Sequence, residues 1–217
     1  QRLMKIFIGY EEKYPVSYEV CKASITRFTD EHDIQPLDKK KLQESKDYWR
    51  PFQGEATDFA FTRFLVPYLC DYKDYALFCD GDFMWRCNPA EILEYSSPSV
   101  SVVKHPELIT RESIKMDGKV NRPYPFKYWS SLMLFNNENC KKLDPWQVSQ
   151  APAGWLHGFS WTDSVGNIPA TFNNMINYYT IFNPKAVHFT DGGPWLDGYE
   201  EQPYADEWRA ILENLNE

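Results

Sequence analysis

The sequence predicts an α/β fold, a Rossmann-like mixed central sheet flanked by helices. Three observations carry that expectation. Short apolar runs alternate with stretches of helical periodicity through the first half of the 217 residues. Polar clusters follow those apolar runs, as they do where a ligand sits beyond the C-terminal ends of strands. No internal repeat, low-complexity tract or linker divides the chain, so a single domain over residues 1–217 is expected.

Leu3–Ile8 (LMKIFI) reads as the first strand and stops at Gly9. Pro15 suits the first turn of a helix, and Val16, Val20, Ala23 and Phe28 recur at helical spacing behind it. Asp33–Leu37 reads as a short second strand weakened by Pro36, and Lys39–Pro51 as polar and irregular. Thr57 or Asp58 can cap a helix running to about Leu69, with Phe61, Phe64, Leu65 and Tyr68 on one face. Pro67 predicts a kink or an early stop in it. Tyr75–Cys79 is a buried strand, followed by Asp80-Gly81-Asp82 and a second apolar patch, Phe83-Met84-Trp85. Asn88-Pro89 opens a short helix, Ala90–Tyr95, and Val100–Lys104 is another strand. Glu107–Pro125 is a polar connection to a strand at Ser131–Phe135, and Trp146–Gly158 reads as loop or short helix. Ala186–Phe189 is the last strand. Asp206–Leu215 is a terminal helix with Trp208, Ile211, Leu212 and Leu215 on one side.

The net charge of −8, with no basic block beyond Lys39-Lys40-Lys41, argues against a nucleic-acid surface. No apolar run approaches a membrane span and no signal peptide opens the chain. Met4 reads as a natural start, with Gln1-Arg2-Leu3 as additional residues before it. The five cysteines are odd in number and form no C-x-x-C, which fits reduced thiols in the cytoplasm. Motifs for a P-loop, a dinucleotide fold, a serine hydrolase elbow and a zinc protease are all absent.

The chemistry concentrates around Tyr75–Trp85. Asp80 and Asp82 lie two apart, so an extended backbone points both carboxylates to one side. Clamped between apolar runs, two like charges need a cation or donors to compensate them. A divalent metal site and a strand-end hydrogen-bond cap are the two readings. Gly81 leaves room for a ligand near the backbone. His188 is a candidate third ligand or a structural histidine. Gly192-Gly193 can admit phosphate oxygens to backbone amides, or can simply form a turn before Pro194. Arg63, inside an apolar stretch, needs an anionic partner, either a protein carboxylate or a ligand. Asp163 beside Trp161 suits a sugar site or a helix N-cap, and Glu11-Glu12 a loop.

Taken together, these segments resemble metal-dependent GT-A glycosyltransferases, in particular the retaining group of glycosyltransferase family 8 that includes glycogenin and bacterial galactosyltransferases. IFIGYEEKY resembles the first strand and uridine-binding loop, and TDFAFTRFLVPYL the helix whose arginine holds the donor. CDGDF resembles the D-x-D motif, WSSLMLFN the donor-sugar strand and HFTDGGPW the terminal metal-binding segment. FTRFLVP, KMDG, WSSLMLFN and HFT-x-GGPW are shared with a closer subgroup of bacterial and phage glycosyltransferase-like proteins. The resemblance implies Mn²⁺ (or Mg²⁺) on Asp80, Asp82 and His188, and a UDP-sugar donor held by Gly9, Tyr10, Glu11, Tyr14, Arg63, Asp80, Gly81, Lys104, Ser131, Gly192 and Gly193. It places Ser130 and Asp163 at the reaction centre. It implies hexose transfer with retention to the hydroxyl of a glycan, a lipid-linked or a small-molecule acceptor. Residues 1–105 would carry mainly nucleotide and metal, and residues 106–217 mainly sugar and acceptor. The sequence departs from the pattern at Gly193, where relatives often carry a diphosphate-binding lysine. It departs again at Trp129-Ser130-Ser131 in place of Asn-Ala-Gly or Asn-Ser-Gly, and at Asp163-Ser164 in place of Asp-Gln-Asp. A non-catalytic sugar-nucleotide or glycan binder and a sugar-nucleotidyltransferase are the rival readings. The acidic Glu11-Glu12 argues against the latter, which needs a basic phosphate loop there.

Overall fold

Alternation along the strands builds the molecule outward from its central sheet. The computed structural model describes residues 3–106, 113–114, 120–121 and 125–217. In chain order the strands are β1 (Lys5–Gly9), β2 (Asp33–Leu37), β3 (Tyr75–Cys79), β4 (Phe83–Trp85), β5 (Val100–Val102), β6 (Ser113–Ile114), β7 (Val120–Asn121), β8 (Leu132–Asn136), β9 (Val165–Asn167), β10 (Asn174–Met175) and β11 (Ala186–His188). The helices are α1 (Pro15–Thr26), α2 (Lys39–Glu44), α3 (Val66–Leu69), α4 (Pro145–Gln150), α5 (Ala153–His157) and α6 (Ala205–Leu215).

Six strands form the main sheet in the order β2-β1-β3-β8-β5-β9. β8 pairs antiparallel with both β3 and β5, while the remaining pairings are parallel. The segments after β1, β3 and β5 and the segment before β8 therefore meet at one edge of the sheet. That edge is where a ligand binds in open α/β sheets.

Each central strand is buried on both faces. Phe7, Ala76, Phe78, Met133 and Phe135 join one apolar cluster, and Ile6, Ile8, Leu77, Cys79, Leu132 and Leu134 the other. This is the reason the strands read as continuous apolar runs. A second sheet, β10-β11-β4, carries Met84 and Val187 in a third cluster with Trp208 and Ile211 of α6. Between the sheets lies α1, with Cys21 and Ile25 turned to the main sheet and Val20 to the second.

Most expected elements form, with three corrections. The Lys39–Pro51 stretch contains α2, because Asp38 accepts hydrogen bonds from the Lys40 and Lys41 amides and caps it. The single helix expected from Thr57 to Leu69 is a turn, a 3-10 segment at Thr62–Leu65 and then α3. Pro67 has no amide hydrogen to give the Arg63 carbonyl, so that carbonyl takes the Val66 amide instead. Leu215 ends α6 exposed rather than packed beside Trp208. Strand β9, the far edge of the main sheet, and β10 had no counterpart in the sequence reading. The KMDG segment and most of Glu107–Pro125 lie outside the described residues, apart from the antiparallel pair β6 and β7.

Candidate metal and donor site

The carboxylates leave β3 where the chain crosses from one sheet to the other. The Asp80 amide is held by the Ser131 carbonyl at 2.9 Å, and a turn delivers Asp82 directly into β4. β4 pairs antiparallel with β11, which sets His188 opposite Phe83 and stacks the two rings 4.4 Å apart. His188 Nε2 then lies 3.0 Å from Asp82 Oδ1 and 3.7 Å from Asp80 Oδ2. One ligand atom from each of the three residues falls within 4.8 Å of the others.

His188 Nε2 and Asp82 Oδ1 are buried and face each other at 3.0 Å, with no other hydrogen-bond partner. They satisfy each other only if Nε2 is protonated, and a cation between them would satisfy both. Two carboxylates and an imidazole converging on one point are a fitting donor set for Mn²⁺ or Mg²⁺. The geometry fits the ion that the resemblance implies.

Arg63 closes the other side. Its guanidinium lies 2.9 Å from Asp80 Oδ1, and Nη1 donates to the Ser130 carbonyl at 2.8 Å. Nε donates to the Phe59 carbonyl at 2.9 Å, and the rings of Phe59 and Phe78 pack against the cation. The anionic partner that Arg63 required is thus Asp80, and the pair faces a cavity of about 260 Å³. Ser130, Ser131, Tyr128, His157 and Thr190 also line it. Ser130 Oγ is 2.8 Å from His157 Nδ1. Burial and the neighbouring Arg63 hold His157 down at about 3, so its ring is neutral.

Residues 55–57 connect this cavity to a cleft of about 420 Å³ lined by Glu11, Glu12, Lys13 and Asp58. Glu11 Oε1 accepts from the Asp58 amide at 2.8 Å. Burial, reinforced by the adjacent Asp58 carboxylate, raises the Glu11 carboxyl to about 7. Tyr14 sits at the start of α1 with its amide on the Glu11 carbonyl, and Tyr10 packs edge-on against Tyr18.

Other expected site residues lie elsewhere or have a different reason to be there. Asp163 precedes β9, which runs parallel to β5, so it sits at the opposite edge of the sheet from Asp80. It is exposed and does not line the cavity. Lys104 follows β5 at the correct edge but is exposed and outside the lining. Gly81 is small because the Gly9 carbonyl fills the space a Cβ would take, not because that space is open to a ligand. Gly9 itself lies under the Phe59 ring, and Gly192 and Gly193 lie under the rings of Tyr199 and Trp195.

Three polar residues were given no role from the sequence, His105 being noted only within the polar Lys104-His105 cluster after a strand. Asn173 is fully buried and its Oδ1 lies 3.0 Å from His188 Nδ1. His105, held at about 3 by burial and by His188, contacts Asn173 and Tyr179. His157 is the third. A buried asparagine between Phe172 and the following strand was the one signal available, since such an amide must find partners.

No family model matches the chain. Protein CDI of Arabidopsis thaliana is 35% identical over 226 aligned residues, covering 98% of this chain and 87% of that protein. Among solved structures, the bifunctional glycosyltransferase WbbM superposes with a TM-score of 0.62 at 15% identity, over 98% of this chain. This chain spans about half of the WbbM chain, 50% of its length. The galactosyltransferase LgtC, solved with donor and acceptor sugar analogues, gives 0.65 at 10% identity over 97% of this chain and 96% of its own. Together with the sheet order and the crossover at Asp80–Asp82, these similarities assign a GT-A glycosyltransferase fold. The chain belongs to the family of Arabidopsis Protein CDI.

Proposed function

We propose that the chain is a metal-dependent glycosyltransferase of the family 8 type, moving a hexose from a UDP-sugar to an acceptor hydroxyl with retention. The observation that carries this reading is the convergence of Asp80, Asp82 and His188 beside the Arg63 cavity. LgtC, of the same fold, was solved with donor and acceptor sugar analogues, which supports a sugar-transfer chemistry.

In this reading Asp80, Asp82 and His188 hold Mn²⁺ or Mg²⁺. The bound cation supplies charge neutralisation on the departing diphosphate. Arg63 fixes Asp80 and, through the Ser130 carbonyl, the wall of the sugar cavity. The Ser130 hydroxyl and Thr190 line the space the hexose occupies. The cleft around Glu11 and Asp58 takes the uracil and ribose, and Tyr10 and Tyr14 flank its Glu11-Glu12-Lys13 wall in the chain. The C1–phosphate bond breaks as the acceptor oxygen bonds C1 on the same face, and the acceptor proton passes to the released phosphate oxygen. Asp163 has no part in this scheme. Gly192-Gly193 contribute the turn that seats Trp195, rather than the lysine found in relatives.

Free thiols at all five cysteines suit a reducing compartment, the cytoplasm. No helix among the described residues is long and apolar enough to cross a membrane.

Calorimetric titration with UDP and then UDP-sugars, in Mn²⁺ and in chelator, tests the reading. Manganese-dependent UDP binding is expected, and Asp82→Ala should abolish that dependence. Undiminished binding in chelator would exclude the metal assignment. A second reading, donor binding without transfer, is favoured by the position of Asp163. Release of UDP from the bound donor with acceptor present separates the two.

A further inference from the structure

A line of hydrogen bonds runs behind the His188 imidazole, and its polarity can be followed from one end to the other. The Tyr128 main-chain carbonyl can only accept. Ser131 Oγ lies 2.6 Å from it and so gives its one proton there. Ser131 Oγ is therefore an acceptor toward Asn173, whose Nδ2 is 2.9 Å away. That contact orients the amide, with its nitrogen toward Ser131 and its oxygen toward His188. Asn173 Oδ1 lies 3.0 Å from His188 Nδ1 and, being a carbonyl oxygen, can only accept. Nδ1 of the imidazole therefore carries a proton, and Nε2 is the ring nitrogen that faces Asp80 and Asp82.

The second Asn173 amide proton faces His105 Nε2 at 3.3 Å. His105 Nδ1 then donates to Tyr179 Oη at 2.8 Å. Every polar atom of the Asn173 side chain is committed. Ser131, Asn173 and His188 are 2%, 0% and 1% exposed, so water does not compete for these bonds.

We propose that Ser131 and Asn173 are positioning residues for the metal-binding imidazole, with the Tyr128 carbonyl setting the polarity of the line. This rests on the metal reading given above. It reassigns Ser131, whose proton is committed to Tyr128 and is not offered to a donor sugar. It also gives the sequence segment around Asn173 a role at the metal although Asn173 touches no ligand of the ion other than His188.

The test combines two measurements on the purified protein. Nitrogen-15 NMR of the histidine rings without metal reads the tautomer of His188, and calorimetry reads Mn²⁺ affinity. Wild-type His188 is expected to carry its proton on Nδ1. Asn173→Leu keeps the volume and removes the acceptor; it should lose the tautomer preference and weaken Mn²⁺ binding about 10–100-fold. Ser131→Ala should act in the same direction. Asn173→Asp keeps an acceptor facing Nδ1 and, although it gives up the donors toward Ser131 and His105, should retain the proton on Nδ1 that Asn173→Leu loses. That rescue separates positioning from a general loss of fold. A wild-type His188 with no proton on Nδ1, or equal affinity in Asn173→Leu, would overturn this proposal alone. No Mn²⁺ binding to the wild type would overturn the metal reading and this proposal together.

Discussion

Glu11 keeps its proton into the neutral range because its carboxyl is drawn out of water beside Asp58. The unfolded chain releases that proton near 4.5 and the folded chain only at about 7. Below the lower value both states are protonated and the group costs nothing. Between the two, the unfolded state ionises first, so stability falls as pH rises, and above about 7 the loss is complete. Glu11→Gln keeps an oxygen for the Asp58 amide and cannot ionise. Its melting temperature is expected to exceed wild type at pH 8 and to match it at pH 4. Thermal melts across that range check both the sign and the window. A residue that destabilises the empty fold at working pH is what a binding cleft retains and a core does not.

At the scale of the elements, the join between β1 and β3 constrains the site closely. Gly81 sits against the Gly9 carbonyl, so the turn that carries Asp80 and Asp82 is pressed onto the end of the first strand. Gly81→Ala sets a methyl group against that carbonyl. About 1–3 kcal/mol of destabilisation is expected from overpacking, read by denaturant titration, together with weaker Mn²⁺ binding as the turn shifts. The sequence made β1, β3 and β8 legible because both faces of each are buried and their apolar runs are continuous. It hid α2, whose only buried residue is Leu42 and whose helical character rests on the Asp38 cap. It hid β9 as well, since Val165–Asn167 is only partly buried and Gly166 carries no side chain to signal a strand.

Across the whole molecule, the paired carboxylates were legible and the sugar side was not, for one physical reason. Asp80 and Asp82 follow a strand whose end is marked by apolar runs, so their place could be read locally, whereas the resemblance supplied His188 as their partner, a juxtaposition that rests on β4 pairing with β11. Asp163 was assigned by resemblance. Its position depends on β9 being parallel to β5, a long-range pairing that no local feature announces. Asn173 depends in the same way on β10 lying beside β11. The assembled cluster should show in the stability of the whole fold. Saturating Mn²⁺ at a hundred times its Kd is expected to stabilise the wild type by about 2.7 kcal/mol, and His188→Ala should lose that gain. Scanning calorimetry with and without chelator measures it.

The three ligands are also far apart in the order in which the chain is made. Asp80 and Asp82 emerge early, and His188 roughly a hundred residues later, from the second sheet. During synthesis the two carboxylates stand without their third partner until β11 has left the ribosome and paired with β4. An ion held as proposed could be captured only then, and it would close a long loop between the two sheets.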